Sequence, residues 1–329
     1  MGAGVVSIVL VAAAVIVPWV TSQYYISVLF FLFLAIVLAE TYDITAGYMG
    51  YINLGHGAFY GIGAYFYAMT IAWGGDNFIG LLLAAAAPAL FAAAISYPLF
   101  RLRDAYFAIA TFGVLKLMEV LVSNLRDITG GTTGISIPPT DSVYVTYYLA
   151  LFLGVAAIAL NAYVASSRFG LALLTIREDE EVAETSGVDT ARLKRVALVL
   201  SAILPGVAGA IYVWQTTYID PDSGFGAAIA FAPVIMAMLG GSGTVLGPLI
   251  GALFITAVQE LLWSHVGYLQ LSMYGVVLVI VGTLMPGGLL RSRFISRIYA
   301  VLRIPGHYGY QPARQSRGDV KTTTTDEEK

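Results

Sequence analysis

Ten apolar runs, most of them near the length a helix needs to cross a membrane, divide this chain and decide what it can fold into. They lie near residues 3–20, 24–40, 52–73, 78–100, 105–124, 144–165, 196–218, 229–240, 249–264 and 269–286. A helix rises about 1.5 Å per residue, so about 20 apolar residues cross the hydrocarbon layer. Lipid offers no hydrogen bonds to a bare backbone, and a helix satisfies its own. Charge usage agrees: 11% of the 329 residues are charged and 58% are hydrophobic, with a mean hydropathy of +0.80. A soluble domain carries about 25% charged residues, so too few remain here to cover a water-facing surface. The first run, from Val5 to Val20, lacks the basic start and small-residue cleavage site of a signal peptide and reads as a first span. The expected fold is an all-α polytopic membrane protein with about ten transmembrane segments.

Two segments break the regularity. The run at 229–240 is too short to span alone and meets Gly240-Gly241-Ser242-Gly243. The run at 52–73 opens on the glycine-rich stretch from Gly47 to Gly57. Both read as glycine-broken elements, since irregular backbone at membrane depth needs protein or a water-filled cavity around it. Basic residues set the orientation. Arg101 and Arg103 form one cluster, Arg168, Arg177, Arg192, Lys194 and Arg195 a second, and Arg291, Arg293, Arg297 and Arg303 a third. The positive-inside rule places all three in the cytoplasm and, by parity, both termini with them. The stretches 126–143 and 219–225, rich in Gly, Pro, Ser, Thr and Asp, become outside loops. Residues 1–304 form the transmembrane domain, with a cytoplasmic loop at 168–195. Residues 305–329, ending in a Thr-rich charged stretch, read as a disordered cytoplasmic tail.

Much chemistry is excluded. The chain has no cysteine and three scattered histidines, His56, His265 and His307, which removes thiol catalysis and any recognisable metal spacing. No nucleophile–base constellation, cofactor fingerprint or P-loop is present. A net charge of −3 gives no reason for nucleic-acid binding. The reading is a transport protein with no catalytic residues, no metal and no cofactor.

The charge-dense stretch 168–205 carries the clearest local signal. Thr175 and Glu178 fit a capping box, so a helix is expected to begin there. Arg177 and Glu181 stand four apart and can pair on one face. Gly187 supplies a stop, and Asp189 or Thr190 caps the helix that enters the membrane near Val196. Arg177, Glu178, Glu181, Ala183, Glu184 and Gly187 thus belong to a short helix lying across the cytoplasmic face, a docking knob for a soluble partner. An ordinary solvated connector is the other reading.

The glycine segments invite a second pair of readings. Glycines let helices approach closely, which is packing. They also let helices break and expose backbone dipoles to a solute, which is a pathway. On the second reading Tyr48, Gly50, Asn53, Gly55 and His56, with Gly240, Gly241 and Gly243, line the translocation path. The echo between Gly47-x-x-Gly50 and Gly240-x-x-Gly243 would fit an inverted repeat. Of the ionisable residues in or near spans, Lys116 and Glu119 can neutralise each other at i, i+3. Glu40 and Asp43 are expected to snorkel to the cytoplasmic interface. Glu260 has no sequence-local partner.

Several of these segments resemble a known family. Glu181-Val182-Ala183-x-x-x-Gly187 is similar to the E-A-A-x-x-x-G loop of ABC importer permeases, and Ile203-Leu204-Pro205 to its I-x-L-P ending without the intervening residue. The stretch Gly47–Tyr65 resembles G-Y-x-G-x-x-S-L-G-H-x-A-F-F-G-I-G-A-Y of branched-chain amino acid permeases, with Asn53 where the family usually carries Ser or another small residue. Arg103–Thr111, Thr129–Gly134, Ile176–Glu180 and Gly240–Pro248 resemble the same family in the same order. The likeness covers roughly residues 24–290 and is to LivM-type permease subunits. It implies a coupling helix seated on an ATPase, and as partners a second LivH-like permease subunit, two ATP-binding subunits and an extracytoplasmic solute-binding protein. It implies leucine, isoleucine and valine as solutes, with urea, short amides or aromatic acids as those of close relatives. A self-contained secondary transporter or channel is the competing class, and it needs no knob aimed at an ATPase.

Overall fold

The computed structural model describes residues 12–139, 143–263 and 276. The third arginine cluster, the apolar run 269–286, His265, His307 and the 305–329 tail lie outside the described residues. Residues 12–20 form α1. Then come α2 (Gln23–Asp43), continued by a π-helical turn (Ile44–Tyr48), α3 (His56–Ala72), α4 (Asn77–Leu99), α5 (Asp104–Asn124) and the short α6 (Arg126–Thr129). After β1 (Ile135–Ser136) follow α7 (Val143–Ser166), α8 (Arg168–Glu178), α9 (Glu180–Thr185) and α10 (Thr190–Thr216). The chain continues through β2 (Tyr218–Ile219), α11 (Pro221–Phe225), α12 (Ala227–Gly240) and α13 (Leu246–Trp263).

The long helices are apolar on nearly all sides, as bilayer helices are. Burial sorts them into layers: α10 has 61% of its most apolar window buried, whereas α4 and α5 have 22%. So α10 runs through the middle, packed against α3, α4, α2 and α7, while α4 and α5 present most of their surface outward. Small residues let the central helices meet. A Cβ on Gly63 would fall 2.1 Å from the Gly206 carbonyl oxygen, and one on Gly206 would fall 2.2 Å from that of Ala84. Close approach of this kind replaces the hydrophobic drive that lipid does not supply. Pro88 and Pro205 sit inside α4 and α10, a use of proline that membrane helices tolerate.

At one end of the bundle, the two stretches read as outside loops join. β1 and β2 pair antiparallel, Ile135 with Ile219 and Ser136 with Tyr218, and Ile137 N–H donates to the Thr217 carbonyl at 2.9 Å. Asp220 caps α11 in a reciprocal capping box with Ser223, and Phe225 packs fully buried against Tyr65 of α3.

The span count is corrected. Among the described residues six helices, not ten, are long and apolar enough to cross a membrane: 23–48, 77–99, 104–124, 143–166, 190–216 and 221–240. The run at 52–73 yields the 17-residue α3, and the run at 249–264 gives the short apolar α13. The run at 229–240 does not stand alone, because α11 and α12 together make one apolar segment of 20 residues. Neither glycine-rich stretch interrupts a single span: the first joins the π turn to α3, and the second joins α12 to α13. The described residues display no clear inverted repeat.

Candidate functional site

The chemistry-bearing residues gather at the opposite end of the bundle, where α8 folds against α7, α10 and the π turn after α2, and α9 against α10. The α8–α9 pair differs in detail from the sequence reading. Its first helix starts at Arg168, capped by Ser167 accepting from Gly170 N–H, and not at Thr175. Asp179 takes the capping role for α9, accepting from the amides of Glu181 and Val182 at 2.9 and 3.1 Å. A side-chain oxygen at the N-cap satisfies donors that the helix cannot, and the carboxylate also complements the helix dipole. Gly187 ends the turn in the left-handed region at φ +85, as a glycine stop does. Asp189 caps α10 by accepting from Arg192 N–H at 3.0 Å.

The expected Arg177–Glu181 pair is replaced by two longer-range contacts. Glu181 pairs with Arg103 at 3.4 Å, both side chains exposed. Arg177 instead turns inward and donates to the Gly47 carbonyl. Glu184 accepts from Thr190 at 2.6 Å, Ala183 is buried under α9, and Glu178 ends α8 on the exposed side.

A residue that the sequence reading did not single out for the site anchors α9. Lys194, on the first turns of α10 and 3% exposed, bonds Glu180 at 2.5 Å and lies 5.2 and 5.5 Å from the ring centres of Tyr51 and Phe100. Tyr51 donates its hydroxyl to the other Glu180 oxygen at 2.6 Å. Burial alone would raise the Glu180 carboxyl, but the Lys194 and Tyr51 hydrogen bonds outweigh it and hold the group below its ordinary range. The signal available in sequence was a lysine just ahead of the apolar run at 196–218, and its partner lay in the neighbouring helix.

The glycine segments meet each other. Asp43, at the end of α2, accepts from Ser242 Oγ at 2.6 Å and from Gly243 N–H at 2.9 and 3.0 Å. A Cβ on Gly47 would lie 2.2 Å from Asp43 Oδ1 and 2.4 Å from Gly243 N, so only glycine fits there. Gly243, at φ +80, abuts the Arg177 guanidinium and the Gly47 carbonyl. Gly50, at φ +80, lies against the Arg177 side chain. Gly240 and Gly241 close α12 against α13.

One turn earlier, Glu40 is also buried. It accepts from Asn161 Nδ2 at 2.7 Å, and Tyr48 donates to Asn161 Oδ1 at 2.7 Å. The expectation that Glu40 and Asp43 snorkel is therefore overturned: both are 0% exposed, because α7 and the 240–246 turn bring polar partners to them. Lys116 and Glu119 do pair, at 2.5 Å. Glu260 accepts a hydrogen bond from Tyr24 on α2.

The candidate pathway residues separate. Asn53 and Gly55 line a narrow crevice with Thr111, Ile95, Val114 and Leu198, and Asn53 Nδ2 has no hydrogen-bond partner among the described residues. His56 is elsewhere: its ring sits between Tyr42 and Phe59, with Nε2 3.1 Å from Thr41 Oγ1. Among the described residues no group of acidic or histidine side chains could hold a metal.

Residues 24–282 match the family described as branched-chain amino acid transport system / permease component. The chain is 29% identical over 319 residues to the high-affinity branched-chain amino acid transport system permease protein LivM of Escherichia coli K12, an alignment covering 86% of this chain and 74% of that one. It is 27% identical over 296 residues to LivH of the same organism, covering 80% and 92%. It is 26% identical over 249 residues to BraD of Pseudomonas aeruginosa PAO1, covering 68% and 80%. No solved structure matches.

Proposed function

Given that this chain belongs to the branched-chain amino acid permease family and is a permease subunit of an ABC importer rather than an enzyme, we propose that its solutes are branched-chain amino acids and that the α8–α9 connector is the element an ATPase subunit grips. The observation that carries the second part is the way α9 is fastened. A solvated connector needs no buried attachment, yet α9 is pinned to α10 through Glu180 and Lys194 and α8 reaches the Gly47 backbone through Arg177. Force applied to Arg177, Glu178, Glu181, Ala183, Glu184 or Gly187 from outside would pass directly into α10 and the glycine segments. Exposed Val182, at 59%, and the carboxylates of Glu178 and Glu181 supply the outward face of such a knob.

In this reading the connector is cytoplasmic and both termini share its side, following the arginine clusters. The partners are two ATP-binding subunits, a LivH-like second permease and an extracytoplasmic solute-binding protein that meets the β1–β2 end. The path runs beside Tyr48, Gly50, Asn53 and Gly55 and the Gly240–Gly243 turn. The crevice at Asn53 pairs a polar donor with aliphatic walls from Ile95, Val114 and Leu198 and is closed as it stands, so a solute would enter it only once the helices around it part. Urea, short amides and aromatic acids are the alternative solutes.

Mild-detergent isolation of the tagged chain, followed by transport in proteoliposomes, tests this. Co-isolation of a P-loop ATPase and a second permease, with ATP-dependent uptake of leucine that needs the binding protein, supports the reading. ATP-independent uptake by the chain alone overturns it.

A further inference from the structure

The geometry points to Asp43 and Arg177 as a two-part joint that makes the α8–α9 connector and the α12–α13 turn move as one piece, with the Gly47 backbone clasped between them. This rests on the coupling role proposed for the connector and names the parts through which it acts.

Asp43 is fully buried in the last turn of α2. All its described hydrogen bonds to the α12–α13 side come from one short turn, Ser242 Oγ and Gly243 N–H. The Arg177 guanidinium, the last basic group of α8, faces the same spot: it donates to Gly47 O, acts electrostatically on Asp43, and would be 3.0 Å from a Cβ on Gly243. A buried carboxylate is costly unless hydrogen-bonded and charge-compensated. The turn, helped by Asn161 of α7, supplies the first need and the connector supplies the second. Neither element can withdraw alone without leaving that carboxylate short of a partner, which is what makes the contact a joint and not a packing detail. The absence of side chains at Gly47 and Gly243 is required for it, because a Cβ at either would separate the parts. Asp43 and Arg177 act here as positioning residues.

The test uses the complete importer in nanodiscs, with solute moved per ATP hydrolysed as the readout. Arg177→Gln and Asp43→Asn are expected to assemble while lowering solute per ATP about ten-fold, inside the range of ordinary coupling free energies. Arg177→Lys, which keeps the charge and loses the fork, is expected to recover part of it. Hydrogen exchange separates the joint from the reading beneath it. In the wild type, protection of segments 168–187 and 238–250 should both follow the nucleotide. In Arg177→Gln only the first should. If the second segment still follows in Arg177→Gln and solute per ATP is unchanged, the joint is refuted. If segment 168–187 ignores nucleotide in the wild type, the coupling role fails and the joint with it. Should Arg177→Gln not assemble, Ser242→Ala and Arg177→Lys carry the test, and unchanged solute per ATP in both refutes the joint.

Discussion

Replacing Glu180 with Gln leaves the Lys194 ammonium, whose side chain is 4% exposed, without its carboxylate. Removing one member of a buried pair costs about 3–5 kcal/mol when nothing else compensates. Here the rings of Tyr51 and Phe100 face the ammonium, and a cation over aromatic faces recovers roughly 1 kcal/mol. Weighing these, Glu180→Gln is expected to destabilise the docking of α9 by about 2.5 kcal/mol. The reverse change, Lys194→Met, is milder. Glu180 is 13% exposed, keeps the Tyr51 hydroxyl and can turn towards water, so about 1.5 kcal/mol is expected. The double variant buries no unpaired charge and should cost only about 1.5 kcal/mol, making the coupling energy about 2.5 kcal/mol, within the range for contacting residues. The opening free energy of residues 179–187, read from amide exchange in detergent, measures all three. Simple additivity of the two single changes would refute the reasoning, because it would mean that the pair does not hold α9 in place. A larger loss in Lys194→Met than in Glu180→Gln would refute the assignment of Lys194 as the more deeply committed partner.

The same pair sets a pH response. Glu180 is held below its ordinary 4.5, so its contribution is complete above about 4.5 and is lost as pH falls through the lower folded value. Protease resistance of the 168–195 segment should therefore be flat from neutral pH to about 5 and decline only below that. At the helix crossing, Gly63→Ala should lower the melting temperature through about 1–3 kcal/mol of overpacking, whereas Gly113→Ala, which meets open space, should be neutral or slightly stabilising in the same thermal assay. Cysteines placed at Asn53 and His56, both buried, should be protected from a small aqueous thiol reagent in the resting protein, with the Asn53 cysteine, which lines the crevice, becoming reactive during turnover; its protection in every transport state would argue against the crevice as a solute path. A bulky residue at Gly187, φ +85, should cost about 1–2 kcal/mol of local strain and uncouple uptake from ATP hydrolysis without removing the protein from the membrane.

The hydropathy of the chain was enough for its class, because lipid imposes one local rule that every span obeys alone. It was not enough for the count. The 52–73 run blurs into a glycine-rich approach that structure resolves into non-helical backbone and the 17-residue α3. Apolar length likewise cannot see that Pro221–Phe225 stacks onto α12. In the candidate site, local signals transferred well: Asp189 as a cap, Gly187 as a stop and Lys116 with Glu119 all act within a few residues. The helix start expected at Thr175 failed locally, because Ser167 caps α8 instead; the other failures were inferences that needed a partner from elsewhere. Arg177 seemed destined for Glu181 by i, i+4 spacing, yet a carbonyl 130 residues away in sequence takes it. Glu40 and Asp43 looked interfacial because they lie near the expected cytoplasmic end of their span. Their partners, Asn161 and Ser242–Gly243, are scattered polar residues in apolar surroundings. That pattern, a lone amide or hydroxyl inside a span, was the one cue left unread.

The bond between Asp43 and Gly243 joins residues 200 positions apart, and this has a consequence for how the protein is made. A ribosome adding about 5–20 residues per second needs about 10–40 s to cover that interval. Throughout it, α2 already exists while the amide and hydroxyl that will hold its carboxylate do not. An ionised Asp43 in the last turn of a newly inserted helix is opposed by less than the about 2.5–3.5 kcal/mol that a charge costs at a helix centre, and the long apolar stretch from Gln23 to Ala39 must offset that by itself. The nascent chain thus inserts on hydrophobicity, and the Asp43 carboxylate is held only once Ser242 and Gly243 have been made. Substitutions that thin out the apolar residues of α2 will be felt during biogenesis well before they are felt in the finished transporter.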